Sequence, residues 1–415
     1  MPTSTPVPPP SASPLLVTLA DVEAARELLR DVIRPTPLEF SRALSARAGG
    51  EVFLKCENLQ RAGSFKIRGA YTRMSRLSQD ERTRGVVAAS AGNHAQGVAL
   101  AASLLGIEAT VYMPTGAPIP KVAATRGYGA EIVFHGSTVD ACLVRAIEHA
   151  KVHGSVLIHP FDHVDVVAGQ GTLGLEVLEQ LPAVRTVLVC TGGGGLLAGV
   201  AAAVKGLRPD VRVVGVQAES AAAYPASLAA GHPVPLEQMS TMADGIAVGR
   251  PGDVPFTLVQ ALVDDIVTVE EESLSRALLF LLERAKQVVE PAGAAAVAAV
   301  MDAPDAFEPP VVAVLSGGNI DPLLMMRVIQ HGMRSAGRYL QFRVRVPDRP
   351  GSLARVMAVL AETDSNVLDV GHVRTGAHLR IDEVEIGVQL ETKGPGHCDE
   401  VMERLRAAGL PPRFH

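Results

Sequence analysis

TVLVCTGGGGLLAG, residues 186–199, runs from five strand-forming residues through four consecutive glycines into an apolar helical pattern. Gly192, Gly193, Gly194 and Gly195 free the backbone for close approach. Their N–H groups, with a helix dipole behind them, form a cradle for an anion. No Lys-Ser/Thr follows, which speaks against a nucleotide P-loop, and no GxGxxG opens a dinucleotide fold. A tight turn is the plain alternative, yet four glycines exceed what a turn needs. The stretch predicts phosphate at the carboxyl end of a buried strand.

Working outward, the same strand-then-helix alternation extends on both sides. Strand candidates are 51–57, 85–90, 108–114, 131–136, 155–160, 186–191, 211–219, 265–270 and 311–317. Several are nearly continuous apolar runs, as strands buried on both faces of a parallel sheet should be. Helical spacing covers 21–33, 93–105, 138–152, 167–180, 271–286 and 321–333. This alternation predicts an α/β, doubly wound fold with ligands at the strand carboxyl ends. From residue 339 the pattern changes to β-α-β-β-α with half-exposed strands, a small α+β module. The opening MPTSTPVPPPSASP, residues 1–14, is Pro- and Ser-rich and reads as a disordered tail rather than a signal peptide.

Composition narrows the function classes. The 415 residues are 47% hydrophobic and 20% charged, with a net charge of −6. That balance offers no electrostatic reason for a nucleic-acid or membrane partner. No apolar run reaches a membrane span. Cys56, Cys142, Cys190 and Cys398 lack paired spacing, which argues against a zinc site or disulfide framework and fits a reducing, cytoplasmic setting.

Three further stretches carry chemistry. SAGNHAQG (90–97) follows a strand and offers a hydroxyl, an amide and an imidazole beside helix N-terminal N–H groups, a set suited to a carboxylate or a ring oxygen. LSGGN (315–319) repeats that geometry. GSFKIRGA (63–70) sets Lys66 between Phe65 and Ile67 at a helix start, with Ser64 in the capping position. Partial desolvation would free the Lys66 amine as a nucleophile; the alternative is a stem that packs while the head snorkels into water. A phosphate cradle and an amine nucleophile together suggest a phosphorylated aldehyde held as a Schiff base, that is, pyridoxal 5'-phosphate.

These stretches, with ADGIAVGRPG (243–252) and EPAGAAAVAAV (290–300), together resemble the threonine ammonia-lyase (threonine dehydratase) family. Its members are fold-type II pyridoxal-phosphate enzymes, tryptophan synthase β-like, with doubly wound sheets in two subdomains. The resemblance implies a catalytic domain over 15–335, with a small subdomain near 60–165 inserted in a larger one. Residues 339–415, with the turn DRPGSLARV (348–356), resemble a single C-terminal ACT domain.

Carried over, the resemblance makes Lys66 the Schiff-base lysine and catalytic base, with Phe65 beside the ring. Gly192, Gly193, Gly194, Gly195 and Leu196 would hold the phosphate, Asn93 the ring hydroxyl, and Ser316 would face the pyridine nitrogen. Ser90, Ala91, Gly92, Asn93, His94 and Phe161 would surround the amino-acid substrate. The implied reaction converts L-threonine to 2-oxobutanoate and ammonia, and L-serine to pyruvate. Racemases of this fold carry a second Ser where this chain has Ala91, and Asn where it has Phe161. Their divalent-metal carboxylates align with Gln217 and Ala223, so no metal is expected, although Glu219 lies near. A serine-preferring dehydratase or racemase, or a silent amino-acid sensor, are the alternatives. The ACT-like segment implies an amino-acid or nucleotide effector, or a dimerisation module without ligand, in a homo-oligomer (dimer or tetramer). Only LPPRFH follows its last helix, which is short for a closing strand.

Overall fold

The computed structural model describes the backbone of Ser4–Pro6 and residues 15–375 and 379–414. It divides into two compact units at Pro322/Leu323. The tail expected over 1–14 otherwise lies outside the described residues, but Ser4–Pro6 (β1) is a strand paired with the main sheet.

That sheet also contains β2 (Leu38–Phe40) and β3 (Val52–Cys56), and four strands of the later chain. A second sheet holds β4 (Val86–Ala89), β5 (Ala109–Met113), β6 (Glu131–Phe134) and β7 (Val156–Leu157). The main sheet is completed by β8 (Thr186–Cys190), β9 (Arg212–Ala218), β10 (Asp265–Val269) and β11 (Val311–Leu315). Its order is β1-β10-β9-β8-β11-β3-β2, with the five inner strands parallel and β1 and β2 antiparallel at the edges. The second sheet is all parallel, ordered β6-β5-β4-β7. All residues of β4, β8, β10 and β11 are buried, which accounts for their unbroken apolar character.

Three helices set the spacing of the site. Helix Val164–Gln180 lies between helix Lys66–Ser75 and helix Gly195–Leu207. A Cβ on Gly169 would stand 2.6 Å from the Arg68 carbonyl oxygen, and one on Gly199 only 2.3 Å from that of Val167. Both crossings therefore require glycine, and they hold the Lys66 helix and the glycine-loop helix at a fixed separation.

Beneath the Lys66 helix lies a buried ionic cluster. Arg68, fully buried, donates from Nε and Nη2 to Glu57, each at 2.8 Å, and its Nη1 meets Glu176 at 2.7 Å. Lys55 Nζ donates to Glu176 at 2.6 Å, to Gln180 at 2.9 Å and to the Thr36 carbonyl at 2.9 Å. Burial, the largest influence, would raise the Glu57 carboxyl, but the Arg68 guanidinium, the Thr36 hydroxyl and the Lys55 charge together hold the group below the usual range.

The C-terminal unit has β12 (Tyr339–Pro347), β13 (Asn366–Val373) and β14 (Glu383–Glu391) in antiparallel order β12-β14-β13. Val356 and Leu360 of helix Ser352–Ala361, and Val401 and Leu405 of helix Pro395–Ala407, share one core with the inward residues of β12 and β14. The short final segment contributes a single antiparallel bridge, Arg413 to Arg343 on the outer side of β12. A full fourth strand is thus replaced by one bridged residue.

Candidate active site

The ends of β4, β8 and β11 open onto one cavity of about 870 Å³. It is lined by every site residue expected from the sequence: Phe65, Lys66, Ser90, Ala91, Gly92, Asn93, His94, Phe161, the four glycines, Leu196 and Ser316. Parallel pairing of β8 with β11 brings their carboxyl ends side by side, so Ser316 and Cys190 line the same cavity.

Lys66 opens its helix, with Phe65 at the cap position. Ser64 does not cap it, contrary to the sequence reading. It is extended, forms an antiparallel bridge to Gly317, and its buried hydroxyl has no protein partner. The reason is the 315–319 turn, which is stitched onto the approach to Lys66: Phe65 N–H donates to Ser316 O at 3.1 Å, and Gly318 N–H to Gly63 O at 2.9 Å. Those main-chain bonds claim the position where a capping turn would form. Lys66 Nζ donates to the Pro160 carbonyl at 3.0 Å and has no carboxylate bound to it. Burial therefore dominates and brings the amine down to about 8, with Cys190 and Glu290 opposing weakly. The head does not snorkel.

Gly194 caps helix Gly195–Leu207 with φ +95°, a conformation that favours glycine. A Cβ there would fall 1.8 Å from the Tyr224 hydroxyl, while a Cβ on Gly193 would meet the Phe161 ring at 2.4 Å. The loop is thus bare backbone pressed between two aromatics, with its N–H groups at the start of a helix. Gln217 braces this loop: its amide donates to Thr191 O at 3.2 Å and accepts from Tyr224 N–H at 3.0 Å.

Gly92 leads into helix Asn93–Leu105, and its N–H donates to Ser90 Oγ at 3.1 Å. Asn93 accepts from Asn319 Nδ2 at 2.8 Å and donates to Glu290, leaving one amide hydrogen uncommitted. His94 Nε2 donates to Ile158 O at 2.7 Å, and burial pushes the ring down to about 3. His159 accepts at Nδ1 from Asp162 N–H at 2.8 Å, and burial holds it at about 4. Both imidazoles are neutral, so an anion here meets oriented N–H groups rather than histidine cations. Lys121 is bonded to Asp244 at 2.6 Å along the cavity wall.

A cradle with no room for side chains and an amine whose hold on its proton is weakened by burial together fit pyridoxal phosphate. Residues 29–317 match the sequence profile of the pyridoxal-phosphate dependent enzymes. The chain belongs to that family. An L-threonine ammonia-lyase of Thermotoga maritima is 46% identical over 399 residues, covering 96% of this chain and 100% of the relative. The structure of threonine deaminase isoform 2 from Solanum lycopersicum superposes with a TM-score of 0.76 at 37% identity, covering 80% of this chain and 92% of that one. Maize serine racemase superposes at 0.72 and 33%, covering 77% and 98%. Pyridoxal phosphate is accordingly the cofactor of this enzyme.

The sequence reading missed Glu290, Lys121, Asp244, His159 and Cys190, all of which line the cavity. Glu290 lies inside a quoted motif, but nothing local distinguishes a glutamate before Pro291 from an ordinary helix-start acid. Only the fold shows it buried.

Proposed function

We propose that this chain is an L-threonine ammonia-lyase, converting L-threonine to 2-oxobutanoate and ammonia and L-serine to pyruvate. The carrying observation is Lys66, a half-buried amine at about 8 with no carboxylate bonded to it among the described residues, lining the same cavity as the glycine cradle. When bound, the cofactor supplies an electron sink conjugated to the substrate Cα. The N–H groups of Gly192–Gly195 hold a phosphate dianion. The neutral Ser316 hydroxyl supports the ring nitrogen without fixing a charge there, which favours elimination over transamination. The Ser90–Asn93 turn, at the start of a helix of 13 residues, holds the substrate carboxylate. Lys66, once its amine is free, would take the α-proton, and the β-hydroxyl would leave as water with a proton from a nearby acid; hydrolysis of the released enamine then gives the 2-oxo acid and ammonia. Ala91 has no group to move a proton on the opposite face, which disfavours racemisation. The Phe161 ring gives the threonine methyl an apolar wall; one such methyl is worth about 1–3 kcal/mol.

We further propose that residues 339–415 form an ACT-type module for an amino-acid or nucleotide effector, in a cytoplasmic homo-oligomer. The strand–helix order and the Thermotoga relative's full-length match support the module. Exposed Val367, Leu368 and Val373 on the edge strand β13 support pairing between subunits.

The test is oxo-acid formation from L-threonine, L-serine and D-serine by the purified protein loaded with pyridoxal phosphate, with and without isoleucine, valine and AMP. Rapid 2-oxobutanoate production from L-threonine is expected. D-serine formed from L-serine without oxo acid would overturn the lyase reading in favour of a racemase.

A further inference from the structure

One ionisable group in the cavity has no part in the reaction as described. Glu290 precedes helix Pro291–Asp302, lines the cavity and is only 2% exposed. Its Oε1 accepts from Asn93 Nδ2 and is seated so closely on Gly317 that a Cβ there would lie 2.4 Å away. Its Oε2 is buried and has no partner among the described residues. A carboxylate so placed would have one donor for two oxygens, and an unsatisfied buried charge is costly.

The surrounding charges do not supply the deficit. Asp244 faces Glu290 with the same sign and opposes its ionisation. Lys121 favours ionisation but is already bonded to Asp244. Lys66 itself loses charge near pH 8, and the Cys190 thiol is pushed up to about 11 by burial, so it is neutral. Burial is the largest influence and raises the Glu290 carboxyl to about 7.

We propose that Glu290 works as a neutral acid, its protonated Oε2 donating a hydrogen bond to the ring oxygen of the bound cofactor. Two neighbours place it there: Asn93, which shares Oε1, is the residue assigned to the ring hydroxyl, and Gly317 adjoins Ser316, assigned to the ring nitrogen. In the ionised form the same oxygen repels an anionic ligand atom. Cofactor affinity therefore falls as Glu290 loses its proton, and it falls for a reason that a glutamine at this position lacks.

The experiment is equilibrium binding of pyridoxal phosphate to the full chain freed of cofactor, for wild type and Glu290→Gln between pH 6 and 9. Glutamine keeps the acceptor for Asn93 and offers an N–H donor at every pH. The phosphate titrates alike in both proteins and cancels in the ratio of dissociation constants; the Lys66 titration, which Glu290 influences, is measured separately in each protein. The ratio of wild type to variant should rise roughly tenfold per pH unit above about 7. A ratio constant across the range overturns the role of Glu290. Because the inference rests on the cofactor site, a wild type that binds no pyridoxal phosphate at any pH would overturn that site itself, a distinguishable result. Should the variant not fold, carbon-13 NMR of glutamate-labelled wild type decides. A carboxyl titrating near 7 that stays protonated when cofactor is added is expected, and its absence overturns the proposal.

Discussion

Lys55, fully buried at the end of β3, and Lys66, half-buried at the start of its helix, are put to opposite uses. Lys55 points into the ionic cluster, where Glu176 at 2.6 Å, Gln180 and a carbonyl take all three of its donors. Burial lowers its affinity for protons and Glu176 restores part of it. Lys66 points the other way into the cavity, where one carbonyl takes one donor and no carboxylate is bound to it. The contrast teaches that burial by itself does not make a nucleophile. The partner's charge decides whether a buried lysine becomes structure or chemistry. Arg68 belongs to the structural side although it lies on the same helix as Lys66.

The largest expected effect breaks the comparison on the chemical side. Lys66→Ala should lower turnover of L-threonine by at least about a thousandfold while the melting temperature stays within a few degrees, because no counter-charge is orphaned. On the structural side, Arg68→Met leaves Glu57 without its bidentate cation and Glu176 with Lys55 alone. We expect a loss of about 3–5 kcal/mol in denaturant unfolding. If both variants lost stability equally, the division between the two regions would be wrong.

A smaller effect sharpens what the cavity selects. Phe161→Asn should shift the kcat/KM ratio of L-threonine to L-serine toward serine by roughly tenfold, measured with both substrates in competition. The smallest effect is a pH dependence of stability. The folded state releases the Lys66 proton at about 8, whereas the unfolded chain holds it to the usual lysine value near 10.4. Between those limits the unfolded state binds more protons, so cofactor-free wild type gains stability relative to Lys66→Ala as pH rises. The slope should be at most about 1.4 kcal/mol per unit, read from unfolding curves between pH 7.5 and 9.5. A flat difference would mean that Lys66 keeps its charge when folded.

What could be read in advance was whatever is written in local patterns. The buried strands announce themselves by unbroken apolar runs, and β4, β8 and β11 fall within the stretches expected for them. Glycine runs after strands mark the turns because bare backbone has few other uses there. The stretch 155–160, by contrast, is a strand only at Val156–Leu157, since His159, Pro160 and Phe161 leave the sheet to line the cavity. β2 is three residues at an edge, too short to show a period. Glu290, Lys121 and Asp244 become neighbours only through tertiary packing, so no spacing along the chain reveals them. Ser64 was misread because a serine before a helix has the same local signature whether it caps the helix or bridges to a distant turn.

Which lysine carries the cofactor decides between Lys66 and the other cavity and core lysines. Borohydride reduction of the pyridoxal-phosphate-loaded enzyme, followed by peptide mass spectrometry, measures it directly. The label should be found on Lys66, with Lys55 and Lys121 unmodified. A label on Lys121, or an enzyme that turns over L-threonine with Lys66 unlabelled, would contradict it.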